Sequence, residues 1–296
     1  MNNLNVFPMA GTPLLCTDEE YRSFILNSGL MIQGGKKDIP TYADTQNQIL
    51  SRCSSDIINV TMDFSSSDIP SASIALHPIV GFITTNSRYY FSCKQFERDL
   101  LSAEANNQIS SHLLYISSGG GEAYYLNILS KTLKACKKPI YVFIEGVCGS
   151  AAYYIASHAK KITAQCFLDQ IGSIGSMLAY WDSDPYLEKM GFKKVEAYAE
   201  MSDLKNKRER DLAKGEPSQM IKEFLNPIAI EFISVVKSNR DKLSKMDDAD
   251  PVLRGEIFNS SKALECGLID DIQELGPVLT ELKEIASTFK AMQEKE

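Results

Sequence analysis

Residues 140–156 read Ile140-Tyr141-Val142-Phe143-Ile144-Glu145-Gly146-Val147-Cys148-Gly149-Ser150-Ala151-Ala152-Tyr153-Tyr154-Ile155-Ala156. Five consecutive apolar residues, mostly strong strand formers, suit a strand buried on both faces, and the small-residue run that opens at Ser150 suits a core helix. The same order occurs upstream. Leu113-Leu114-Tyr115-Ile116 is a short apolar run, Ser117-Ser118-Gly119-Gly120-Gly121-Glu122 comes next, and Leu126, Leu129 and Leu133 then mark one helix face. Strands alternating with helices from residue 74 onward predict an α/β fold with a largely parallel sheet.

Outward from this centre, a strand is expected over 74–83, with Pro78 and Gly81 marking an edge or bulge. A helix should pass through Phe96, Leu100 and Ala103, and Lys161-Ile162-Thr163-Ala164 continues the alternation. Further elements are a helix over 182–190, a strand over 193–198, a short helix over 261–266, a strand at 268–269 and a terminal helix after Pro277. A long amphipathic helix carries Ile221, Phe224, Leu225, Ile228, Phe232 and Val235, kinked or divided at Pro227. Residues 1–72 lack strong periodicity and end in a turn-rich stretch at 65–71. The expected organisation is therefore an N-terminal extension (1–72, a pro-segment or arm), a main domain (73–276) and a C-terminal helix (277–296).

The 296 residues are 44% hydrophobic and 23% charged, which excludes collagen-like and disordered classes. A net charge of −7 without a basic arm argues against a nucleic-acid partner. No window reaches the roughly 18 apolar residues of a membrane span, and the first residues do not form a secretory signal. Seven cysteines, odd in number and without a Cys-x-x-Cys pair, suit a reducing cytoplasm.

In α/β sheets ligands gather at the carboxyl ends of strands, where both of these turn segments lie. The Gly119-Gly120-Gly121 loop lacks the Lys-Ser/Thr of a phosphate loop, and no Gly-x-Gly-x-x-Gly is present. An oxyanion hole or an edge for an extended peptide fits it better, and a permissive tight turn is the plain alternative. Ser150 is either an ordinary N-cap or a nucleophile beside a helix N-terminus that favours a developing oxyanion. Cys148 is the rival nucleophile and reads as a small core thiol. A serine nucleophile needs a base. His77, His112 and His158 are the only histidines, and none has an evident Asp-linked setting. Lysine remains. Its pKa must fall by roughly three units, about 4 kcal/mol, to serve near neutrality, and the residues alone do not select one.

The segments 116–123, 146–156 and 172–176, with 254–272, resemble in order four motifs of the signal peptide peptidase A (protease IV) family of Ser/Lys peptidases. The resemblance covers about 73–276. It implies the Clp protease/crotonase fold, a spiral of β-β-α units, and a Ser/Lys dyad needing no metal or organic cofactor. It places the nucleophile on Ser150 and the base on Lys205, 55 positions downstream, with Lys207 as rival. Ser173 would hold the lysine amine, and the backbone N–H groups of Ala151 and of Gly120 or Gly121 would form the oxyanion hole. Gly119 and Ser117 stand where the family carries proline and asparagine.

The Gly-Gly-Glu-Ala form of the first loop, the single protease domain, the soluble N-terminal extension and the lack of a membrane segment resemble the phage or prophage branch. Members of that branch mature the prohead by cleaving extended scaffold and capsid-protein segments, and often themselves. The resemblance thus implies protein or peptide substrates, a homo-oligomer, and a place in the host cytoplasm or procapsid interior. A cytosolic signal-peptide-degrading peptidase, a crotonase-like acyl-CoA enzyme and an inactive scaffold are the alternatives.

Overall fold

The computed structural model describes residues 14–17, 21–26, 41–54, 58–179, 182 and 184–293. Its main sheet contains β2 (Val60–Thr61), β3 (Ser73–Val80), β6 (Ile109–Ser118), β8 (Ile140–Gly149), β10 (Gln170–Gly172) and β11 (Ile257–Asn259), neighbours in that order. All pairings along it are parallel except β10 with β11. The strands β9 (Lys161–Ala164) and β12 (Asp271–Ile272) extend it beside the first half of β8. A second, smaller sheet has the order β1 (Leu14–Cys16), β7 (Gly120–Glu122), β4 (Ile83–Thr84), β5 (Phe91–Ser92).

The order of elements explains the two sheets. β3 leads into β4 and β5 and then helix α2 (Cys93–Ala105), and β6 leads into β7 and then helix α3 (Leu126–Ala135). β3 and β6 thus hand the chain to the small sheet before a helix returns it, the β-β-α order expected, whereas β8 runs straight into a helix. The mostly parallel α/β architecture is as the alternation predicts.

Side chains alternate across a strand, so each central strand feeds two cores. Leu114 and Ile116 of β6 pack with α2, α3, helix α4 (Ala151–Ala156) and helix α7 (Asn226–Asn239). Leu113 and Tyr115 face the other way, onto helix α1 (Tyr42–Cys53) through Ile49 and Cys53, and onto helix α9 (Leu275–Gln293) through Val278 and Leu282. Covering on both faces is why these strands read as unbroken apolar runs. It also means that parts of the first 72 residues and the terminal helix complete the second core.

Several expected elements differ. The helix over 182–190 is shorter, α5 (Asp184–Lys189), and carries no buried residue. Residues 193–198 form no strand; 193–197 are exposed, Val195 81% so, and they pair with no strand among the described residues. The strand placed at 268–269 lies at Asp271–Ile272, because Gly267 closes helix α8 (Ser260–Cys266) in a left-handed cap and the chain must turn before it pairs. Pro227 sits in the first turn of α7, where its missing N–H costs little, and a π-helical turn over Ile221–Leu225 precedes it. Strand β10 was not anticipated.

The histidines are structural, although not isolated from carboxylates as the sequence suggested. Buried His77 and His112 share a hydrogen bond (Nε2 to Nδ1, 3.1 Å), and His112 Nε2 lies 2.9 Å from Glu104. Strand pairing brings His77 to His112, 35 positions away, and α2 brings Glu104, eight positions before His112. His158 donates from Nδ1 to Tyr154 O (2.9 Å) and pairs through Nε2 with Ser130 Oγ (2.8 Å).

Burial pushes His158 down to about 4 and His77 well below the ordinary histidine range. Above pH 6.5 both are neutral in either state. Below it the unfolded chain takes up protons that the folded chain refuses, so stability falls as pH drops from 6.5 towards 4. His158 contributes at most about 1.4 kcal/mol per pH unit. Thermal melts of His158→Gln should therefore show a smaller loss of Tm between pH 7 and 4.5 than the parent; equal losses would contradict this.

Candidate active site

Strand β8 delivers Ser150 at the mouth of the sheet, in a conformation a serine seldom adopts: φ 53°, ψ −116°. Its N–H donates to Gly172 O (2.8 Å) and its carbonyl accepts from Tyr154 N–H (2.8 Å). An N-cap serine has extended backbone and gives its side-chain oxygen to an amide of the first turn. Ser150 has neither feature: its side chain makes no capping bond. The hydroxyl makes no hydrogen bond among the described residues, although the residue is only 1% exposed. Such a backbone costs on the order of 1–3 kcal/mol and persists only where the surroundings impose it.

The surroundings are identifiable. The parallel register sets Cys148 against Ile171 and Gly149 against Gly172, so β10 clamps the strand up to the serine. Helix α4 is buried along its whole length, and Tyr153 donates its hydroxyl to Leu268 O (2.8 Å). Asp169, also buried, accepts from the amides of Gly146 (2.9 Å) and Cys166 (2.9 Å), fixing the bend that leads β8 to its end. The sequence reading did not single out Tyr153, Asp169 or Gly172. A buried acid is the only local signal, and its partners come from the fold.

The glycine loop lies alongside. Ser118 pairs with Cys148, and a Cβ placed on Gly149 would stand 3.3 Å from Gly119 O. Gly121 runs so close to β4 that its Cβ would fall 2.0 Å from Ile83 O, which explains the need for glycine here. Of the expected oxyanion donors, Gly120 N–H already donates to Ser118 Oγ (3.1 Å), and Ser118 Oγ in turn donates to Gly81 O (2.6 Å). Gly121 pairs with β1. Ala151 opens α4, where an N–H has no intrahelical acceptor.

Ser173 comes directly after the Gly172 that holds Ser150, also at positive φ (55°), with its N–H on Glu256 O (2.8 Å). Ser150, Ser173, Ala151 and the glycine strand therefore converge. The lysines do not join them. Lys205 is exposed in the turn before helix α6 (Lys207–Ala213), and Lys207 is ion-paired with Asp211. Neither amine hydrogen-bonds to Ser150 within the chain, among the described residues. Burial pushes the Cys148 thiol up, leaving it without the thiolate a nucleophile needs. His77, His112 and His158 spend their contacts elsewhere. The site therefore offers an unpaired hydroxyl beside backbone amides and a glycine strand, an arrangement able to serve acyl transfer once a base is supplied.

The uncapped, strained serine makes a stability prediction. Ser150→Ala should melt within about 0.5 kcal/mol of the parent, whereas loss of a true cap would cost about 1 kcal/mol. Ser150→Gly should melt higher, because glycine relieves the positive φ.

The chain is similar to several known proteins. A protein of Enterococcus faecium named as a signal peptide peptidase SppA is 28% identical over 206 residues, 67% of this chain and 57% of that protein. The chloroplastic serine protease SPPA of Arabidopsis thaliana is 25% identical over 197 residues, 66% of this chain and 28% of that one. The chain thus spans under two thirds of the length of either. Among solved structures, it resembles a membrane-bound stomatin-specific protease in complex with a substrate peptide (TM-score 0.44, 17% identity, 68% of this chain and 75% of that one). It also resembles an enoyl-CoA hydratase/carnithine racemase from Magnetospirillum magneticum (TM-score 0.37, 12% identity, 67% and 64%). The profile of Peptidase family S49 matches residues 132–288, more than half of the chain, including Ser150, Ser173, Lys205 and Lys207 but not the glycine loop. By that match, the chain belongs to peptidase family S49.

Proposed function

We propose that the chain is a serine endopeptidase with a Ser150–Lys205 dyad, cutting extended segments of scaffold or capsid protein, its own chain included, during phage prohead maturation. The observation that carries the endopeptidase reading is Ser150 itself, held at positive φ with an unpaired hydroxyl beside a glycine strand. The phage assignment rests on the Gly-Gly-Glu-Ala form of residues 120–123.

In this mechanism Ser150 Oγ attacks the scissile carbonyl as a lysine amine takes its proton. Ala151 N–H, with an amide of the glycine strand, receives the developing oxyanion. Ser173 orients the amine. The intermediate collapses with cleavage of the C–N bond as the lysine ammonium gives its proton to the leaving amine. Water activated by the again neutral lysine then releases the acyl group from Ser150.

A lysine amine acts as a base only when desolvated, yet Lys205 is exposed in the single chain. Residues 184–217 include no buried position and expose Tyr186 (66%), Phe192 (63%), Val195 (81%) and Leu204 (69%). An arm with that much uncovered apolar surface suits a homo-oligomer in which another copy covers it, desolvating the lysine at the same time. Among the described residues no helix is long and apolar enough to cross a membrane.

Three measurements test the reading. Ser150→Ala and Lys205→Ala should each lower hydrolysis of an unfolded protein substrate by at least about 10³-fold, in the range of other activated nucleophiles. Lys207→Ala should keep most activity, and the rate should climb with pH and survive His158→Gln. Activity persisting in both Ser150→Ala and Lys205→Ala, or turnover of CoA thioesters, would sink the dyad. Sedimentation should show an oligomer that Val195→Asp dissociates; a monomer at working concentration would remove the assembly. Cleavage of signal peptides in preference to scaffold segments would replace the prohead substrate.

A further inference from the structure

The glycine strand β7 has two edges, and both are taken. On one side β4 pairs through Ile83 with Gly121. On the other, β1 runs antiparallel, with Leu14 opposite Glu122, Leu15 opposite Gly121 and Cys16 opposite Gly120. The ladder continues through Thr17 N–H to Gly119 O (2.8 Å). Hydrogen-bonded pairs alternate in an antiparallel ladder, so Leu15 and Gly121 form the next such pair and the Gly121 amide faces β1. Since β4 belongs to the fixed frame, the β1 edge is the one along which an extended peptide could add to reach Ser150. This chain's own residues fill it.

Thr17 also lies against the residue before Ser150: its Cγ2 is 3.1 Å from where a Cβ on Gly149 would stand. A helical turn over residues 21–26 clamps the strand in place. Its Tyr21 N–H donates to Thr17 O (3.1 Å) and its Tyr21 hydroxyl donates to Ala179 O (3.2 Å). Phe24 stacks on Phe82 (centroids 4.1 Å apart) and meets Tyr90 at 5.0 Å. Cys16, Tyr21, Phe24 and Phe82 are buried together, with Met177 and Ala179 against them. The clamp thus grips both the turn after β3 and the segment downstream of Ser173.

We propose that residues 14–17 are an intrasteric strand, a tethered occupant of the peptide-binding edge that keeps the site latent until a substrate strand displaces it. This rests on the reading of Ser150 as the nucleophile. A tethered strand competes at an effective concentration in the millimolar range, far above that of a dilute substrate. The occupant mimics the way substrate would enter: main-chain pairing to the glycine strand, largely indifferent to side-chain identity.

The test uses the full chain and a fluorescent peptide with the sequence of residues 11–20. Thr17→Pro removes the amide that bonds to Gly119 O and breaks the ladder beside the nucleophile. In a Ser150→Ala background, which prevents turnover, the peptide should bind the Thr17→Pro protein at least about tenfold more tightly than the parent. With Ser150 intact, Thr17→Pro should hydrolyse unfolded casein about fivefold faster or more. Equal peptide binding by the two proteins would overturn the proposal, as would equal hydrolysis rates. Unequal binding with no hydrolysis by either protein would leave the strand lock standing and remove the serine-peptidase reading. Should Thr17→Pro fail to fold, Phe24→Ala loosens the clamp without altering the strand and supports the same comparison.

Discussion

One hydrogen bond organises the site: Ser150 N–H to Gly172 O, at the point where β8 and β10 end together. A serine left to itself would take an extended or helical backbone and cap the helix after it. Here the parallel register brings a carbonyl of the next strand to its amide, and the buried helix behind it admits no slip. The hydroxyl is thereby turned away from the amides of α4 that it would otherwise bond. Unpaired side chain and strained backbone are two results of one pairing.

That pairing in turn depends on a sheet held from both faces. One core is built from α2, α3, α4 and α7, the other from α1 and α9, and the strands between them have no freedom to shift. The histidine pair with Glu104 is part of this frame, as are Tyr153 and Asp169 close to the nucleophile. Tyr153, Asp169 and Ser118 each bond to partners of their own, whereas the Ser150 hydroxyl makes no hydrogen bond among the described residues.

Around the rigid centre the protein carries two segments of a different kind. The strand at residues 14–17 is tied to the site by backbone pairing and an aromatic clamp, while residues 184–217 expose several large apolar side chains and include no buried residue. In the mechanism proposed above, the first closes the site from within and the second offers surface to another copy, so that access to Ser150 and completion of its base would be decided at the periphery.

The strand-turn-helix segment around Ser150, the glycine loop and the α/β alternation were legible in the sequence because each is a local pattern. An apolar run marks a strand with covered faces, and glycines mark close backbone approaches such as Gly121 to Ile83. The terminal strand moved to Asp271–Ile272 and residues 193–198 form no strand, because pairing depends on a partner strand that local composition cannot report. Reading Ser150 as a cap or a nucleophile was likewise undecidable locally, since both place a serine before a helix. Only the register against β10 sets its φ and leaves its hydroxyl unpaired. His77 against His112, and residues 14–17 on the glycine strand, are contacts between distant positions. The sequence by itself determined which segments could carry the chemistry; the tertiary structure decided which of their groups meet, because hydrogen-bond register and edge occupancy are properties of paired strands and not of either strand alone.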